Sequence, residues 1–95
     1  ENDIVVVGGY EENQKDYESN DTTAVIVKYS TDGQLLFEKT ISHATFYDVL
    51  SLDDGYLAIG SIKNKNKRNG IIYKYHNDGT LDWKVHYDEK NTKFL

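Results

Sequence analysis

Three histidines, a crowd of carboxylates and one short run of cations are the residues whose types could do chemistry in this 95-residue chain. His43, His76 and His86 are scattered. His76 and His86 flank one hairpin without the spacing of a zinc pair, and with no cysteine no thiolate can complete a site. Glu11, Glu12, Asp16 and Asp21 are numerous enough for calcium, yet they lack the alternating D-x-D-x-D-G spacing that wraps oxygens around one ion. Asp53-Asp54-Gly55 reads as a turn rather than a ligand pair. No serine elbow, glycine-rich phosphate loop or paired carboxylates stand out. No catalytic, cofactor-binding or metal residue is therefore assigned, and the expectation is a protein that is not an enzyme and carries no cofactor.

The charges sort into two loops. "YEENQKDYESND" (Tyr10–Asp21) carries Glu11, Glu12, Asp16, Glu18 and Asp21 against Lys15, whereas "KNKNKRN" (Lys63–Asn69) carries Lys63, Lys65, Lys67 and Arg68 with no acid. Three readings stand side by side. The loops are solvated hairpin tips that keep sheets from aggregating, or they attract each other and set register, or they face a charged partner. The net charge of −5 makes phosphate backbones unsuitable partners, so no nucleic acid is expected. No apolar stretch approaches the roughly 18 residues of a membrane helix. No signal peptide is visible, and the chain opening at Glu1 without methionine reads as a processed or excised fragment.

The elements that position these loops follow from an internal repeat. "AVIVKYSTDGQLLFEKT" from Ala24 aligns without a gap on "GIIYKYHNDGTLDWKVH" from Gly70, with Ile26, Lys28, Tyr29, Asp32, Gly33 and Leu35 on Ile72, Lys74, Tyr75, Asp78, Gly79 and Leu81. Phe37 falls on Trp83. Upstream, "NDIVVVGG" lies over "DGYLAIGS", so that Gly8 meets Gly60. The offset is 46 residues after the differing loop and 52 before it. A period of about 40–50 residues built from short strands is the signature of propeller blades. Seven strands are predicted: 4–8, 25–29, 35–41, 46–52, 56–61, 71–75 and 81–87. "IVVV" and "YLAI" read as strands covered on both faces. Alternation of Leu81, Trp83, Val85 and Tyr87 with Asp82, Lys84 and His86 puts His86 on a wet face and Trp83 between sheets. Asp32-Gly33 and Asp78-Gly79 supply the positive φ of tight hairpins. Tyr29, Tyr75, Tyr87, Phe37 and Trp83 are expected to pack between sheets rather than to form a sugar platform.

With these segments in order, twice, the chain resembles the bacterial β-propeller repeats of surface and secreted proteins, whose blades carry a "DGGYIVVG" strand, then "IVKYDSDG", then a strand centred on Trp. The matching segments are "DDGYLAIG", "IIYKYHNDG" and "TLDWKV", with "AVIVKYSTDG" and "QLLFEK" in the first copy. Phe37 in place of Trp and the long insertion after Gly9 depart from that pattern. The resemblance implies an all-β, propeller-like fold of about two four-stranded antiparallel blades, permuted. Residues 1–45 form strands two to four of one blade, 46–93 a complete blade, and 94–95 the start of another. Such a module is a scaffold or binding surface for protein or glycan on a bacterial surface or secreted protein, with an extracellular location. The alternative is a fragment of a larger propeller enzyme with its site at a central channel. The Asn20-Asp21-Thr22 glycosylation pattern loses its meaning in a bacterial chain. Propellers close with about four to eight blades, so partners are expected to be further blades or further copies in a homo-oligomer. In the latter, "KFL" at the chain's end would pair beside Ile4–Gly8 of a neighbour.

Overall fold

The computed structural model describes residues 3–11, 22–65, 67–87 and 92–94, and these build two antiparallel sheets with no helix. The first sheet has the order β1 (Ile4–Glu11), β2 (Thr22–Tyr29), β3 (Leu35–Ser42). The second has the order β4 (Ala44–Leu52), β5 (Gly55–Asn64), β6 (Lys67–His76), β7 (Leu81–Tyr87), β8 (Thr92–Phe94). All seven predicted strands are present, most of them longer than the apolar pattern alone defines. The polar ends of β5 and β6 continue the ladder to Asn64↔Lys67, beyond where apolar side chains stop. Backbone pairing there needs no apolar side chain.

The aligned segments fold alike. Lys28 stands opposite Phe37 and Lys74 opposite Trp83, and each ladder then shifts register between the Lys and the following Tyr. The turns match as well. Ser30 N–H donates to the Gln34 carbonyl at 2.8 Å and His76 N–H to the Thr80 carbonyl at 2.8 Å, with Gly33 and Gly79 at φ 89° and 92°. Positive φ is open to glycine without a Cβ penalty, which is why Asp-Gly closes both hairpins.

His43, at φ 63°, is the single residue between β3 and β4, and there the chain leaves one sheet for the other. β4 consequently packs against β1 and β2. One core results. Ala24, Ile26 and Phe37 of the first sheet meet Phe46, Ala58 and Tyr73 of the second, among other buried residues. Phe46 and Tyr73 meet edge to face at 5.8 Å and Phe37 lies 6.4 Å from Tyr56, geometries that favour aromatic pairs.

Three expectations change. Val5 and Val7 pack on the core while Ile4 and Val6 are 52% and 50% exposed, so "IVVV" is covered on one face only. The first sheet has a packed neighbour on just that side. Phe94, expected to open a further blade, lies in β8 opposite Val85 of its own chain, while Leu95 lies outside the described residues. The faces of β7 are also reversed. His86 is half-buried with Nε2 3.1 Å from the Tyr73 hydroxyl, whereas Trp83 stands on the side away from the first sheet.

Candidate functional site

Two places concentrate polar groups: the hairpin between β5 and β6, and the faces of the two sheets that carry Lys28 and Lys74. β4 begins opposite Ile62 and β7 ends opposite Gly70, so the Lys63–Arg68 hairpin overhangs both neighbours. It presents Lys63, Lys65, Lys67 and Arg68 within six positions. Lys65 takes the left-handed conformation that turns the chain (φ 59°). Arg68 Nη1 donates to Ser61 Oγ at 3.1 Å, and Ser61 Oγ lies 2.8 Å from the Tyr47 hydroxyl. This chain of contacts fixes one guanidinium at the sheet surface and leaves lysines at the tip, an arrangement suited to anionic groups. The acidic counterpart, residues 12–21, lies outside the described residues. Its base is Glu11 opposite Thr22, and Thr22 Oγ1 receives the Thr45 hydroxyl at 3.3 Å.

Each sheet has a front, carrying Lys28 or Lys74, and a back, carrying Tyr29 or Tyr75. The front of the first sheet is buried on the back of the second. Lys28 is 7% exposed there and donates to the Asn77 carbonyl at 3.0 Å, with Asp3 at 3.5 Å and the Tyr56 ring 5.1 Å below its ammonium. Burial pulls the Lys28 pKa down, but Tyr56 and Asp3 more than offset it, so the ammonium titrates above its ordinary 10.5. On the front of the second sheet Lys74 is 6% exposed and holds Asp54 and Asp82, each at 2.9 Å. The hydrogen bonds that Lys74 donates to these carboxylates raise its pKa, and the one to Asp54 lowers that of Asp54. The bulge of β7 brings Asp82 round to Lys74 and so breaks the alternation read from the sequence.

The histidines stay apart in function. His76 Nε2 is 3.7 Å from Asp82 while His86 faces Tyr73. Burial, then the nearby Lys84, holds the His86 ring below its ordinary 6.5. Burial, then Tyr73, pushes the Tyr75 phenol far up. Asp53 and Asp54 form the two-residue turn joining Leu52 to Gly55, as expected. Among the described residues no three His, Asp or Glu side chains gather as a metal site requires, and no helix is long and apolar enough to cross a membrane. The Lys28 and Lys74 cradles escaped sequence reasoning, although both lysines lie in the aligned "KY" pair and a repeated Lys within an apolar strand was the available signal. Comparison with family models, curated proteins and solved structures finds no match to this chain.

Proposed function

We propose that this chain is a non-catalytic β-propeller repeat module of a bacterial surface or secreted protein, a scaffold that presents hairpin ends for contact with protein or glycan. The overhanging Lys63–Arg68 hairpin, braced through Arg68, Ser61 and Tyr47, is the observation that supports this reading. Stacked sheets give a rigid base, and a hairpin that extends past its paired neighbours among the described residues gives the contact surface. The four cations favour a partner rich in carboxylate or sulfate groups.

Calorimetric titration of an acidic peptide and of a sulfated or uronate glycan into the chain tests this. The expected outcome is binding heat with one of them, without turnover, lost when Lys63, Lys65, Lys67 and Arg68 are all changed to Ser while the melting temperature is kept. Equal heat from the Ser variant, or no heat from either ligand class, contradicts the assignment of the hairpin.

A further inference from the structure

Among the described residues no other sheet packs on the front of the second sheet or on the back of the first, and these two faces are counterparts of the two that bury each other. In the aligned numbering Leu57, Ile59, Ile72, Lys74 and Trp83 on the front of the second sheet correspond to Val5, Val7, Ile26, Lys28 and Phe37, which form the buried front of the first. Ile4, Val6, Val25, Val27 and Tyr29 on the back of the first sheet correspond to Tyr56, Ala58, Ile71, Tyr73 and Tyr75, all buried on the back of the second. Ile4, Val6, Tyr29 and Leu35 on that uncovered back are exposed. Each chain therefore carries, among the described residues, a front and a back with no second sheet packed on them, of the same design as its internal junction.

We propose that a second copy of this chain docks the back of its first sheet onto the front of the second sheet, head to tail. The contact is heterologous, so its repetition closes a ring or runs on as a filament. Details of the internal junction predict those of the docked one. A Cβ on Gly79 would stand 2.7 Å from the Phe37 ring, whereas the same atom on Gly33 meets nothing within 4 Å. Trp83, counterpart of Phe37, fills that space over Gly33 of the second copy. Lys28 donates to the carbonyl of Asn77, whose counterpart is Thr31. Lys74 gives two hydrogen bonds to Asp54 and Asp82, and in the docked pair the third donor of its ammonium goes to the Thr31 carbonyl of the second copy.

The inference rests on the blade reading above, and the two fail separately: assembly is read by mass, hairpin binding by heat in variants that leave 63–68 untouched. The test uses two single variants, Val6→Glu on the back of the first sheet and Ile72→Glu on the front of the second. Neither residue belongs to the buried core. Light scattering across a concentration series is expected to show wild-type chain assembling and each variant staying at single-chain mass. An equimolar mixture is expected to form a dimer and nothing larger, because one good front meets one good back while the remaining pair of faces brings two carboxylates together. Trp83, the one tryptophan in the chain, reports the same event through a change in its emission in the wild type and the mixture alone. Circular dichroism verifies that each variant is folded, and Ile4→Glu with Leu57→Glu repeats the test on the same faces. A monomeric wild type, a Val6→Glu variant that assembles like the wild type, or a mixture that stays monomeric while the wild type assembles overturns the proposal.

Discussion

Lys28 and His86 show how single side chains tie the sheets together. Lys28 reaches from the first sheet to the Asn77 carbonyl in a turn of the second, so its ammonium spans the junction. Lys28→Met keeps most of the stem's packing but leaves that carbonyl without its donor. Thermal or urea unfolding is expected to show a loss of about 1–2 kcal/mol. His86 acts through its neutral form. The unfolded ring takes up its proton near 6.5, while the folded ring, half-buried beside Lys84, resists it. The unfolded state therefore binds more protons as pH falls below that value, and stability drops there; above 6.5 the effect is absent. Melting temperatures measured from about pH 7.5 down to about pH 5 are expected to fall less steeply in His86→Gln than in the wild type. Neither role was legible beforehand. Alternation along β7 says which residues share a face, but it does not say which face is turned inward, and Lys within an apolar strand looks the same whether its ammonium is wet or enclosed.

Glycine positions separate what a turn needs from what a junction needs. Gly33 and Gly79 share the same φ, but only Gly79 lies beneath a ring of the other sheet. Gly33→Val is expected to cost about 1–3 kcal/mol through backbone strain, and Gly79→Val about 1–3 kcal/mol more because Phe37 must move. Equal losses in parallel melts would mean that Phe37 does not rest on the β6–β7 turn. Gly60 and Gly8 make a second pair. A Cβ at 60 would stand 1.9 Å from the Thr45 carbonyl oxygen of β4, whereas nothing lies within 4 Å of one at 8, where β1 is the edge of its sheet. Gly60→Ala is expected to cost at least about 1–3 kcal/mol and Gly8→Ala less than about 0.5 kcal/mol, both measured by denaturant unfolding. At this scale the sequence was informative. Apolar runs and Asp-Gly turns located seven strands and both long hairpins. They started a strand at 94–95 but did not show that Thr92-Lys93-Phe94 pairs back on β7, since so short a segment shows no period, and they missed the bulge that moves Asp82, because an extra residue leaves no mark in composition.

Across the whole molecule the decisive feature is the head-to-tail relation of its two sheets. The aligned segments fix which strands correspond, and the core then shows that the front of one sheet takes the back of the next. Repetition of one junction makes the account more than a description of 95 residues. It predicts what the remaining faces bind and leaves the basic hairpin, which lies at the strand ends, outside the stacked faces. The burial of just one side of β1 fits the same scheme, because its other side carries Ile4 and Val6 in the positions that Tyr56 and Ala58 occupy inside the core. The absolute mass of the wild-type chain, measured by light scattering on the eluting peak of a sizing column at several loading concentrations, tests this most directly. The account predicts a species at a whole-number multiple of 10.9 kDa that gains population with concentration. A folded chain that stays at 10.9 kDa throughout contradicts it.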